Sequence, residues 1–401
     1  RDKLMAVLWN SVLKVPSARI LCGALHHKRV APPVTTNGFD DVLVWSLTAA
    51  YKGVHPSVDH RGRPFEGCSR AALAGQPIAG GYRFPFSEVR GDLPFQITTF
   101  GWVGFNSKER CCHLCLASRE DDSNFLYSDF RPTAAHRDTL ISHDAYMQST
   151  DANTRSPVCR LTGFHLWRVW QDAMHTLDLG VFQHLNGSTL WRLTATPSLW
   201  PSTTRPGRLL QAHEHYVAWC RLNRVGDIAD PWRVEHFKKD KQGYPKLTSL
   251  KAAEQRWLVV YLHAVLTALP RWGEMLQLLV LCYSCAVDFD VACRKHGRLI
   301  PEADLARVVE SGKGFLTAYN AVALYCAVNG MPLYSVIPKH HMYEHLMMMA
   351  RVANPRFVHN YSDESMIGRL KRVASECHAD AISHRVVDRY RLLMLVKFSR
   401  T

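Results

Sequence analysis

No uninterrupted apolar run of membrane length occurs in this sequence. The longest candidates, residues 257–269 and 275–287, are interrupted by polar residues such as His263, Thr267 and Ser284 and separated by Pro270, so no membrane anchor is expected. Cysteine is also thin on the ground. Twelve residues spread over 401 positions are too sparse for a disulfide scaffold, and no secretory leader is legible. A reducing compartment is therefore expected, which leaves clustered thiols free for metal. Acidic residues are outnumbered: 35 Asp plus Glu stand against 49 Lys plus Arg, giving a formal charge of +14 and a pI near 9.3. That balance suits a polyanion such as DNA or RNA. What the chain has in quantity is apolar side chains, 47% of the total, enough for a large core and a length compatible with two or three lobes. It opens on Arg1 rather than Met, as expected of a piece of a longer protein.

Read in order, residues 1–20 place apolar side chains at helical spacing up to Pro16 and predict a packing helix. Asp40 and Asp41 precede an apolar run that ends at Gly53, predicting a helix from about Asp40 to Tyr51. Residues 54–80 lack a period and read as a loop. The run from Gly81 to Val89 alternates Tyr82, Phe84 and Phe86 and ends in Arg90-Gly91-Asp92, which predicts a short strand delivering Asp92 at its carboxyl end. The simpler alternative is that Asp92 caps the helix that follows. Further on, residues 206–225, 247–269, 272–296 and 301–329 read as helices. The basic stretch 235–246 between them reads as a solvated loop or a contact to backbone phosphates. Residues 333–338 read as a short extended lead-in to another helix.

The residues that carry chemistry are few. Cys112 and Cys115 form a C-x-x-C turn that lets two thiolates reach one tetrahedral Zn²⁺. Two further ligands are needed; His136, His143 and Cys159 are the downstream candidates, and Cys111 or His113 could substitute. The pair can equally be buried thiols. Cys282 and Cys285, in an apolar helix, read as core. Asp172 and His175, three apart in a helical stretch from Leu166 to Leu190, share a face. His341 and His345 lie one turn apart and can hold metal given a third ligand, or can sit at the core edge. Ser362-Asp363-Glu364 opens a helix bearing Arg369, Lys371 and Arg372, and capping explains one of its acids.

Taken in order, Gly91-Asp92, Cys112-x-x-Cys115, Asp172-Ala173-Met174-His175, Lys339-x-His341-x-x-x-His345 and Glu364 resemble the catalytic region of CACTA-type (En/Spm-like) cut-and-paste DNA transposases, over roughly residues 40–375. The resemblance implies an α/β fold: a ribonuclease H-like core with a mixed five-stranded sheet, a zinc knuckle and a large all-helical insertion. It divides the chain into an N-terminal part of the core (1–105), a zinc-knuckle region (106–160), a helical region with the D-x-x-H helix and the insertion (161–330) and a C-terminal part of the core (331–401). It implies Asp92 and Glu364 as ligands of Mg²⁺ or Mn²⁺, and Asp172 and His175 as the D-x-x-H signature beside them. The C-x-x-C turn in that arrangement is expected to hold a structural Zn²⁺ on Cys112 and Cys115, with His136 and Cys159 as candidate further ligands. Its activity would be strand cleavage and transfer at transposon ends, by a nuclear homo-oligomer on double-stranded DNA. The family's first aspartate has no counterpart here, since Asp40 and Asp41 read as a helix start and Asp59 sits in a His-Arg-Gly loop. Either that acid lies upstream of Arg1, or the chain is a decayed or domesticated, non-catalytic DNA-binding relative.

Overall fold

The computed structural model describes residues 4–10, 19–26, 30–31, 33–149, 155–226, 228–270, 273–378 and 381–398. Helices account for 57% of the chain, and the chain divides into two compact units, one of residues 1–102, 142–170 and 360–401, the other of residues 103–141 and 171–359.

The first unit starts with strands where a helix was expected. β1 (Leu4–Asn10) and β2 (Arg19–His26) pair antiparallel, Leu4 opposite His26 and Asn10 opposite Arg19, with an irregularity between Val7 and Leu8; residues 1–3 and 11–18 of the expected helix lie outside the described residues. Short apolar runs satisfy both periods, and Gly23 favours the strand, because a Cβ there would collide with the Phe39 ring. α1 (Val34–Lys52) carries Phe39 and closes on a left-handed Gly53 whose N–H reaches Ala49 O. It begins six residues before the expected start, so Asp40 is not a cap but a buried side chain accepting from Ser156 Oγ at 2.9 Å. The short α2 (Ser69–Leu73) sits in the loop region, followed by α3 (Leu93–Phe100) and α4 (His143–Ser149). From the far end of the chain, α11 (Tyr361–Ser375) and α12 (Ile382–Phe398) place Leu370, Ile382, Val386 and Tyr390 against Leu21 and Ala24 of β2.

The expected strand before Asp92 is reduced to extended chain with one parallel bridge, Val89 to Val169. Tyr82 and Phe84 are exposed, so the alternation has no second strand to bury it. Among the described residues the sheets are the β1–β2 pair and a second two-stranded antiparallel pair in the other unit.

The second unit is a helical body. Residues 166–190 do not form one helix: Leu166–Arg168 is a 3₁₀ turn of the first unit, and the second unit has a π-helical segment Met174–Val181 running into α5 (Phe182–Leu193). α6 (Arg205–Leu222) follows, then the hairpin β3 (Phe237–Lys239) and β4 (Pro245–Leu247) where a loop was expected. α7 (Ala252–Ala268), α8 (Glu274–Arg294), α9 (Glu302–Val328) and α10 (Pro338–Met349) complete it. By length and composition α8 could cross a membrane, but Cys282, Tyr283, Ala286 and Phe289 are buried on it, and the Phe289 ring packs edge-on to Tyr343 at 5.1 Å. A buried amide fixes the centre: Asn186 donates to Gln255 O and Oε1, both at 3.0 Å, and accepts from Tyr283 OH at 3.2 Å, which satisfies polar groups that burial would otherwise penalise.

Candidate metal centre

Cys112 and Cys115 lie on an irregular turn whose carbonyls point inward. Arg110 holds that turn, its Nε donating to Cys112 O at 2.8 Å and Cys115 O at 3.1 Å and its Nη2 to His113 O at 3.3 Å. The Leu114 N–H donates to Cys112 Sγ at 3.3 Å. Opposite stands α10, opened by Pro338, which presents His341 and His345 on one face because residues four apart are neighbours on a helix.

The four side chains converge. Cys112 Sγ is 3.2 Å from His345 Nε2, Cys115 Sγ is 3.1 Å from His341 Nε2 and 3.5 Å from His345 Nε2, and the two imidazole Nε2 atoms are 3.0 Å apart. All four residues are buried, with their ligand atoms within 4.8 Å of one another. Zn–S and Zn–N bonds of about 2.3 and 2.0 Å in a tetrahedron separate ligand atoms by roughly 3.3–3.8 Å. The donors therefore sit at or slightly inside the spacing that one such ion needs, and two thiols with two imidazoles are the donor set of closed, structural zinc sites. This cluster can hold a metal such as zinc.

Electrostatics agree. Burial opposes ionisation of Cys112, yet the hydrogen bond from Cys115 and the charges of His345 and His341 outweigh it and hold the thiol well below its ordinary range. The Cys115 thiol is pushed up by that same hydrogen bond and by burial. Burial likewise opposes charge on His341, but the Cys112 thiolate and Glu344 push it up to about 9. A cluster that favours a thiolate is suited to a divalent cation, which binds the deprotonated thiol.

A supporting layer stands behind the ligands. Glu344 Oε2 lies 3.5 Å from His341 Nδ1 and 3.1 Å from His136 Nε2, and its other oxygen pairs with Arg137. The Glu344 charge thus faces the Nδ1 side of the His341 ring, away from the Nε2 that meets the thiols, and favours the charged ring. His136, expected as a ligand, is thus placed one step back. Cys159 belongs to the first unit, where its thiol faces Tyr146 OH at 3.9 Å, and His143 there accepts the Leu166 N–H at 3.3 Å. The side chains that meet the two thiols are instead His341 and His345; their H-x-x-x-H spacing was the available signal. The Cys282 thiol, 0% exposed, is core, and burial pushes it well up.

Asp172 and His175 are brought together. The Asp172 carboxylate, 4% exposed, accepts from His175 Nδ1 and, at 3.0 Å, from the Met174 N–H. His175 is 30% exposed. Lys339 packs against Gly180 and donates to Leu179 O at 3.0 Å; burial pushes it down to about 8 although Asp172 opposes this.

Asp92 is the N-cap of α3, its Oδ1 accepting the Phe95 N–H at 2.9 Å. Glu364 lies in the first turn of α11. Among the described residues, the groups of three or more close potential ligands are the tetrad and His136–His341–Glu344. Neither contains Asp92 or Glu364, and Mg²⁺ finds no support in either. Comparison with protein-family models, curated proteins and solved structures finds no match.

Proposed function

We propose that this chain is the DNA-handling body of a protein of CACTA-like transposase descent, held together by a structural zinc ion. The observation that carries this reading is the meeting of Cys112-x-x-Cys115 with His341-x-x-x-His345, two of the motifs on which the resemblance rests, across more than 220 residues of intervening chain in one buried four-donor cluster. The Asp172–His175 pair, brought together as the D-x-x-H signature requires, is consistent with it. The surplus of 14 positive charges suits a nucleic-acid backbone. A ribonuclease H-like ancestry of the first unit is part of the proposal, supported by an antiparallel hairpin covered by helices from the end of the chain. When bound, zinc supplies no chemistry beyond cross-linking the knuckle to α10; arranging the DNA is the work of the chain's own side chains.

A second reading, a domesticated relative that binds DNA without cutting it, is favoured by the capping role of Asp92. One experiment separates them. In the full-length parent, Asp92→Asn and Glu364→Gln should abolish divalent-ion-dependent nicking at transposon ends while leaving DNA binding intact; nicking at the parental rate by either variant removes the catalytic assignment.

A further inference from the structure

The basic stretch 235–246 folds into a hairpin that keeps like charges together. Lys238 and Lys246 are directly opposite across the β3–β4 ladder, an arrangement that weakens a sheet unless something neutralises it. Beside them, the Arg205 guanidinium lies 3.9 Å and the Lys239 Nζ 4.7 Å from the centroid of the Trp191 ring. The indole is held in place by Phe237, 5.5 Å away, and α5 is seated directly on β4, since a Cβ at Gly187 would stand 2.6 Å from the Leu247 nitrogen. Lys238, Lys239, Lys241 and Arg192 are exposed. The one acid of the turn, Asp240, is committed to it, accepting from the Gln242 and Tyr244 N–H groups at 2.9 and 3.0 Å. Glu235 lies by Arg233. Among the described residues, Arg192, Arg205, Lys238, Lys239, Lys241 and Lys246 form no ion pair with a carboxylate.

We infer that this hairpin and the Trp191 face beside it are a landing surface for the sugar-phosphate backbone of duplex DNA. The inference rests on the DNA-handling reading above and adds where the duplex is gripped. A duplex offers about one negative charge per 1.7 Å of axis, which matches a cluster of cations fixed side by side with no carboxylate to quench them. The surface is not built to stack bases: single-strand binders present open aromatic faces, whereas the Trp191 ring carries cations and Tyr244 is half-buried.

The test is equilibrium binding of the full chain to a labelled random-sequence duplex over a range of salt concentrations. The triple variant Lys238→Gln/Lys239→Gln/Lys241→Gln, at exposed positions, should bind at least about tenfold more weakly, with a log–log salt slope shallower by about 2–3. Arg205→Gln, approaching from α6, should flatten the slope by about 1. Arg307→Gln, whose arginine already lies 3.8 Å from Asp288, should change neither. Unchanged affinity and slope in the triple variant overturn the inference, as does failure of the parent chain to bind duplex. Displacement of the duplex by polyglutamate at equal charge would assign the surface to an acidic protein instead and overturn it too. The transposase reading fails separately, in the nicking assay, so the two failures are told apart.

Discussion

Cys115 Sγ lies 3.1 Å from His341 Nε2, although the two stand 226 positions apart in the sequence. The contact joins an irregular turn near the start of the second unit to a helix near its end, and a zinc ion there would close that whole length of chain into one loop. Closing a long loop removes entropy from the unfolded chain, and metal binding that occurs only in the folded state adds directly to stability.

The first prediction concerns that link. Cys112→Ser should release the metal and lower the midpoint of thermal unfolding of the second unit by well over 10 °C, and a chelator should do the same to the parent, because structural zinc contributes on the order of 10 kcal/mol in small domains. Calorimetry with and without chelator is the measurement; a variant melting with the parent contradicts it.

Glu344 is predicted to tune the site without being one of its four ligands. Glu344→Gln keeps a hydrogen-bonding group near His341 but removes the charge that steadies it. The variant should still bind one zinc ion, with an affinity weaker by about 10–100-fold in competition with a chromophoric chelator.

Acid should loosen the helical body through His184. Burial, with the Lys246 charge, holds it down to about 4, and burial with the His184 charge holds His340 down to about 3. Both lie below the ordinary value near 6.5, so the unfolded chain binds more protons than the folded one as pH falls through 6.5, and stability drops with it. Each group should cost about 2 kcal/mol by pH 5. His184→Gln should therefore lose about 2 kcal/mol less than the parent between pH 7 and 5 in urea unfolding; parallel pH profiles would contradict it.

Asp92 provides a separate check. As an N-cap, Asp92→Ala should cost the first unit about 1 kcal/mol while Asp92→Asn, which caps equally well, costs a few tenths at most. Equal losses in the two variants, measured by denaturant titration, would show that the carboxylate does something other than accept the Phe95 N–H.

What could be read from the sequence was local. The C-x-x-C turn, the cap at Asp92 and the shared face of Asp172 and His175 each follow from residues a few positions apart. The helices α8 and α9 follow from apolar periodicity, and the start of α9 from Pro301. The rest depends on partners far along the chain. Nothing near Cys112 says that its other ligands are His341 and His345, and nothing near His341 says that the helix edge it occupies faces two thiols rather than solvent. β1 and β2 were missed for a different reason: short apolar runs fit either period, and what makes them strands is each other, paired across the intervening residues. The stretch 235–246 looked like loop because its charges hide the Phe237 and Leu247 pair that anchors the hairpin.

The most direct measurement is the zinc content of the purified full chain by atomic emission, with no metal added during purification. The account predicts one zinc ion per chain, retained in Cys159→Ser and lost in Cys112→Ser and in His341→Ala. A parent chain devoid of metal, or a His341→Ala variant that keeps its zinc, would contradict it.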